Sequence, residues 1–203
     1  MSRKGLLIVV SAPSGAGKTT LCKEISKALP NLQHSISYTT RKPRPNETDG
    51  VHYFFVTQEK FNGMIKDKEF AEWAVVHGNL YGTSKKQLTE MMDRGIDVIL
   101  DIDSQGAMQI KENWEGGVFI YILPPSFNDL KRRLTERNSD AAKEIEKRLE
   151  NAKKEIPHYK RYNYVIINDK FEKALEDLKA IITAERLKIK KFNSDLIKEK
   201  FNL

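Results

Sequence analysis

The sequence predicts an α/β fold, a parallel sheet flanked by helices and interrupted by a small inserted mixed sheet. Three observations carry this expectation. Apolar runs at Leu6–Val10, Val98–Leu100, Val118–Leu123 and Tyr164–Ile167 recur along the 203 residues, as strands covered on both faces do. Helical periodicity follows each run, the alternation that builds parallel sheets. The first run leads straight into a glycine-rich turn with Lys18 and Thr19 at its end.

That turn is read as a P-loop for nucleotide phosphates. Gly15 and Gly17 let the backbone curl so that its N–H groups face phosphate oxygens. The helix that opens near Lys18 adds the positive end of its dipole. Lys18 is placed to reach the β- and γ-phosphates of a nucleoside triphosphate, and the Thr19 hydroxyl to ligate Mg²⁺. Ser11, Ala12, Pro13, Ser14, Gly15, Ala16, Gly17, Lys18, Thr19 and Thr20 are the triphosphate-binding candidates. Ala12 stands where the usual pattern begins with glycine, which is tolerable if the backbone there is not left-handed.

The remaining elements follow in order. Leu21, Ile25 and Leu29 mark one face of a helix that Pro30 stops. His34 to Thr40 reads as one short strand, and Arg41 to Gly50, with its prolines and charges, as a loop. Tyr53 to Val56 is a strand, and Phe61, Met64 and Ile65 give a helix its apolar stripe. Phe70 to His77 is a strand, with Gly78-Asn79 turning toward Tyr81. Helices are expected at Ser84 to Arg94 and from Ser104 to about Asn113. Pro124-Pro125 precedes a helix starting near Ser126, and two charged helical segments are split near Asn138-Ser139-Asp140. Phe171, Leu175, Leu178 and Ile182 mark a long closing helix.

Composition narrows the class. With 39% hydrophobic and 31% charged residues the chain reads as a soluble globular protein. No apolar run approaches the ~20 residues that span a membrane, and the short lead-in before the first strand leaves no room for a signal peptide. Cys22 is alone, so no internal disulfide forms, and it reads as a small apolar helix residue in a cytoplasmic protein. The net charge of +7 raises nucleic acid as a partner, but the segment Arg186 to Leu203 alone contributes +4 (six basic, two acidic residues), a solvated helix end and tail. The histidines at 34, 52, 77 and 158 lack metal-ligand spacing, so Mg²⁺ is the only metal expected.

Several elements downstream of the loop are individually ordinary. Arginines on a proline-containing loop are usually just solvated, and Thr83-Ser84 or Asp103 could simply cap helices. In series they are specific: Ser37-Tyr38-Thr39-Thr40-Arg41-Lys42-Pro43-Arg44, Gly50-Val51-His52-Tyr53, Glu72-Trp73, Tyr81-Gly82-Thr83-Ser84, then Leu100-Asp101-Ile102-Asp103-Ser104-Gln105-Gly106. Together these closely resemble guanylate kinases, from about Gly5 to Arg186.

The resemblance implies a P-loop NTPase fold that carries the γ-phosphoryl group of ATP to GMP, and with it dGMP. It implies a core of 5–34, 84–125 and 157–190, a GMP-binding insertion of about 35–83 and a helical lid of about 126–156, with 191–203 as a basic tail. Arg41, Arg44, Tyr53 and Tyr81 would hold the GMP phosphate, Glu72 guanine N1–H and the 2-amino group, Ser37 and Thr83 the base edge, and Asp103 the amino group. Asp101 would act on the metal through water or on the acceptor site. Arg137 and Arg148, with Arg133 as a weaker candidate, would meet the transferring phosphates from the lid, and Asn168-Asp169 the adenine edge. Partners would be ATP and GMP, with no specific nucleic acid and no membrane, in a monomer or homodimer.

Two other readings compete. A P-loop kinase for another phosphate acceptor would have no use for Glu72 and the Tyr81-Gly82-Thr83 element. A peptide-binding scaffold domain of the same type would be expected to lack an intact phosphate loop or to stand beside other domains.

Overall fold

A computed structural model describes residues 3–76, 78–136, 142–188 and 194–202. Five strands, β1 (Leu7–Ser11), β2 (Leu32–His34), β7 (Asp97–Asp101), β8 (Val118–Leu123) and β9 (Tyr164–Ile167), form the main sheet. All are parallel, in the order β2-β7-β1-β8-β9. β3 (Tyr38–Thr39), β4 (Phe54–Phe55), β5 (Phe70–Val76) and β6 (Asn79–Ser84) make a second, mixed sheet ordered β4-β3-β6-β5.

Alternation along β1 explains the layering. Ile8 and Val10 face α1 (Lys18–Ala28) and α7 (Phe171–Arg186), in a core with Leu21, Ile25, Leu178 and Ile182. Leu7 and Val9 face the opposite way, toward α3 (Lys85–Asp93) and α4 (Ser104–Asn113), with Leu88, Met92, Ala107 and Ile110. A central strand buried on both faces therefore reads as an uninterrupted apolar run. α2 (Gln58–Lys66) closes the small sheet over Phe61, Met64, Phe70 and Leu80. α5 (Phe127–Glu136) and α6 (Ala142–Glu155) pair around Leu130, Leu134 and Ala152. A further helix, α8 (Ser194–Phe201), lies in the C-terminal segment.

The expected single strand from His34 to Thr40 is instead two. β2 belongs to the main sheet and β3 to the small one, and the chain changes sheets at Ser35–Ser37. The expected strand Tyr53 to Val56 is regular only at Phe54–Phe55, and α1 ends at Ala28, two residues before Pro30. The split near Asn138-Ser139-Asp140 lies outside the described residues.

One buried carboxylate fastens the far end of the main sheet. Asp97 at the start of β7 has a fully buried side chain that takes two 2.7 Å bonds from the Arg3 guanidinium, one from Arg186 Nε and one from the Leu6 N–H. It thereby ties the N-terminal segment and α7 to the sheet. Burial would raise its pKa, but these donors outweigh burial and hold it below the usual carboxylate range. Asp97→Ala should cost about 3 kcal/mol in a urea melt at neutral pH, since two guanidinium groups lose their counter-charge. Because the folded-state pKa is depressed, this contribution is full above the unfolded pKa near 4 and fades as pH falls through the folded value. The difference between wild type and Asp97→Ala should therefore shrink in acid.

Candidate active site

The loop between β1 and α1 takes the form its glycines require. Gly15 and Gly17 adopt φ of 92° and 91°, where a side chain would be strained. Ala12 has no such conformation, which explains why the missing glycine is tolerated. Gly17 occupies the N-cap position of α1 without a side-chain cap, so the first N–H groups of the helix remain available to an anion. A Cβ on Gly17 would stand 2.5 Å from Asn168 Nδ2, and that amide donates to the Ala16 carbonyl at 2.7 Å. Asn168, just after β9, is thus a buried strut under the loop.

Lys18 reaches across to the neighbouring strand. Its Nζ donates to the Ile102 carbonyl at 2.7 Å and pairs with Asp101 Oδ1 at 2.7 Å. Asp101 stands opposite Val10, the residue before β1 ends, so the parallel register places the carboxylate at the mouth of the loop. Burial pushes its pKa up, but Lys18 and the Thr19 hydroxyl outweigh burial and keep it ionised. An ammonium has three donors, so Lys18 keeps one N–H for a phosphate. A cavity of about 310 Å³ lies over the loop, with Asp101, Asp103 and Glu155 on its wall. Glu155 ends α6; burial and Asp103 raise its pKa, while Lys18 and the Ser14 N–H oppose. Nothing in the sequence marks it out, since it is one acid in a highly charged helix.

A larger cleft, about 610 Å³, runs from Thr19 and Asp101 to the small sheet and is also lined by Ser37, Arg44 and Tyr53. Arg41 lies beside Tyr81, donating Nε–H to its hydroxyl at 3.2 Å, and 5.4 Å from the Tyr53 ring centroid. Glu47 fixes this group: its Oε1 meets Arg41 Nη2 at 2.8 Å and its Oε2 takes the Arg44 N–H at 2.8 Å. Those bonds hold the Glu47 pKa down to about 2. Glu47 was not foreseen as a site residue.

Glu72 is the unusual group. It is 5% exposed, directly across the strand pair from Thr83, whose hydroxyl donates to Oε1 at 2.5 Å. A register shift between Phe70 and Glu72 turns Ala71 into the main core and Glu72 into the site. Burial, with Asp103 nearby, pushes its pKa up to about 7 against the pull of Thr83. Asp103 does cap α4, accepting the Gly106 N–H at 2.8 Å, and Ser84 caps α3.

The other candidates fall elsewhere. Arg133 Nη2 donates to the Asn168 carbonyl at 2.8 Å, beside a cavity of about 370 Å³ that Asn168 and Asp169 also line. Arg148 pairs with Glu144 at 3.8 Å along α6. Arg137 lies outside the described residues. Among the described residues no three acidic, histidine or cysteine side chains converge as a metal site, and no helix is long and apolar enough to cross a membrane.

A phosphate loop at the carboxyl edge of a parallel sheet, facing a second sheet across an arginine-lined cleft, defines a P-loop NTPase-fold phosphotransferase. The guanylate kinase family model matches residues 4–185. Guanylate kinase of Geobacter metallireducens is 54% identical over 186 residues, and that of Geobacter sulfurreducens 55%, each alignment covering 92% of both chains. The crystal structure of guanylate kinase from Anaplasma phagocytophilum superimposes with a TM-score of 0.79 at 34% identity, covering 100% of this chain and 98% of that one. The chain belongs to the guanylate kinase family.

A carboxyl group whose pKa is raised on folding opposes stability once pH exceeds its unfolded value, and the penalty is complete above pH 7. Glu72→Gln should therefore stabilise the free protein at pH 8 by about 3 kcal/mol relative to its effect at pH 4, read from urea melts at the two pH values.

Proposed function

We infer that this chain transfers the γ-phosphoryl group of ATP to GMP, giving ADP and GDP. The observation that carries the reading is Glu72, a buried carboxylate whose partner among the described residues is the Thr83 hydroxyl, held against Gly106 and near Asp103 at the start of α4, just after the Asp101 and Ile102 contacts of Lys18. Guanine offers two adjacent donors, N1–H and the 2-amino group, which match the two oxygens of one carboxylate. Adenine offers neither, and would leave Glu72 buried and unpaired. A site built on such pairs can reject the wrong analogue by ~10⁴.

Arg41, Arg44, Tyr53 and Tyr81 hold the GMP phosphate, two guanidinium groups suiting a dianion and two phenols completing its hydrogen bonds. Ser37 and Thr83 meet the base edge, and Asp103 the amino group. That phosphate is already an anionic nucleophile, so catalysis is alignment and charge neutralisation, without a strong general base. Residues Ser11 to Thr20 cradle the ATP phosphates, and Lys18 turns its remaining N–H to the group in transit. Thr19 would hold Mg²⁺, and its contact with Asp101 fits a carboxylate that would assist at the metal or at the acceptor site. Bound there, Mg²⁺ supplies charge neutralisation on the donor phosphates. α5 and α6 act as a lid that brings Arg137 and Arg148 inward and excludes water. Arg133 secures the Asn168-Asp169 segment, which meets the adenine edge. Nothing in this scheme selects for the 2′-hydroxyl, so dGMP serves as well, in a cytoplasmic enzyme of purine nucleotide metabolism.

The test is ADP formation from ATP with GMP, dGMP, AMP, dTMP and UMP in parallel. GMP and dGMP should support turnover and the others should not. Lys18→Ala should lower kcat by about 10²–10³, and Glu72→Ala should raise the KM for GMP. Turnover with no acceptor, or with AMP as readily as GMP, would sink the reading. Glu72 must be ionised to accept two hydrogen bonds, so the KM for GMP should rise as pH drops below about 7.

A further inference from the structure

β5 is the outer strand of the small sheet, so the Trp73 N–H and C=O point away from β6 with no strand to receive them. A side chain from the main body receives both. Gln109 on α4 accepts the Trp73 N–H through Oε1 at 3.1 Å and donates Nε2–H to the Trp73 carbonyl at 2.8 Å. One turn earlier on the same face of α4 lies Gly106, so close to the strand that a Cβ there would stand 2.7 Å from Glu72 Oε2. Adjacent residues of β5 are thus matched to positions i and i+3 of one helix face. The helix starts at Ser104, directly after the stretch that holds Lys18 through Asp101 and Ile102.

We propose that Gln109 is the positioning residue for the guanine-reading carboxylate. By gripping both backbone groups of Trp73 it fixes where Glu72 sits along α4, and so sets how well the acceptor base is bound and discriminated. Thr83 alone cannot do this, because Thr83 rides on the same small sheet and moves with it. Gly106 serves the same end by leaving room for the carboxylate against the helix. The proposal rests on the reading of Glu72 as the contact to guanine.

The variants are Gln109→Leu, which keeps the volume and removes both hydrogen bonds, and Gln109→Ala. Gln109 is only partly buried, so neither change hollows the core. Calorimetric titration of the free enzyme with GMP, together with steady-state kinetics, gives the readout. Both variants should weaken GMP binding about tenfold, raise the KM for GMP equally, and leave kcat and the KM for ATP within about twofold. The preference for GMP over IMP, which lacks the 2-amino group, should narrow in the same variants. Unchanged GMP affinity, or equal losses for ATP and GMP with a lower Tm, would overturn the proposal. Glu72→Gln measured alongside separates the two levels: if it leaves GMP affinity untouched, the reading of Glu72 fails and takes the role of Gln109 with it. If Glu72→Gln weakens GMP but both Gln109 variants do not, only the role of Gln109 falls.

Discussion

Asp97, Asp101 and Glu72 each hold a carboxylate largely out of water, and the partners each receives differ in a way that orders the molecule. Removing a charge from water is costly unless other groups replace the lost hydration. Asp97 receives two guanidinium groups and a backbone N–H, and its pKa falls. Asp101 receives Lys18 and the Thr19 hydroxyl, and its pKa falls too. Glu72 receives a single hydroxyl, and its pKa climbs to about 7. The first arrangement is complete and structural. The second is complete but exchangeable, because phosphates can compete for the same lysine. The third lacks a partner that the protein itself does not provide.

With Glu72 read as the contact to guanine, its deficit accounts for the small sheet. The main sheet needs only β1, its loop and the neighbouring β7 to gather Lys18, Thr19 and Asp101 at its carboxyl edge, where parallel sheets place ligands. The acceptor must lie within reach of that edge, and the chain arranges this by leaving the main sheet after His34 and returning at Ser84 into α3. On the proposed reading, the excursion carries Arg41, Arg44, Tyr53 and Tyr81 for a phosphate and Glu72 with Thr83 for a base. α4 touches both regions, through Asp101 and Ile102 just before its start and through Gly106 and Gln109 along one face.

Where burial on both faces leaves an unbroken apolar run, the sequence is explicit: β8 occupies the predicted residues Val118–Leu123, and the edge strand β9 occupies the predicted Tyr164–Ile167 although Val165 and Ile167 are exposed. α4 likewise spans the predicted Ser104–Asn113, because Asp103 before it is a recognisable cap. The sequence reads His34 to Thr40 as one strand because that stretch shows no break, and no local pattern shows that the chain changes sheets between β2 and β3. Glu72, Arg41 and Tyr81 were legible only as members of an ordered series. Asp97 with Arg3 and Arg186, Glu47 with Arg41, and Gln109 with Trp73 were not foreseen. Those pairings between isolated polar residues exist only after folding. The resemblance puts Asn168 at the adenine edge, and its amide is held by the Ala16 carbonyl, 152 residues away along the chain.

On the proposed reading, Glu72 waits, poorly partnered, for two donors from guanine. The direct measurement is a pH titration of the Glu72 side-chain carboxyl carbon by NMR, with and without saturating GMP. The expected midpoint is near 7 in the free protein and falls by about two or more when GMP is bound, because two N–H donors then favour the charged form. A midpoint that stays near 7 with GMP in place, or rises, would mean that guanine does not pair with this carboxylate, and the account of how the acceptor is chosen would be wrong.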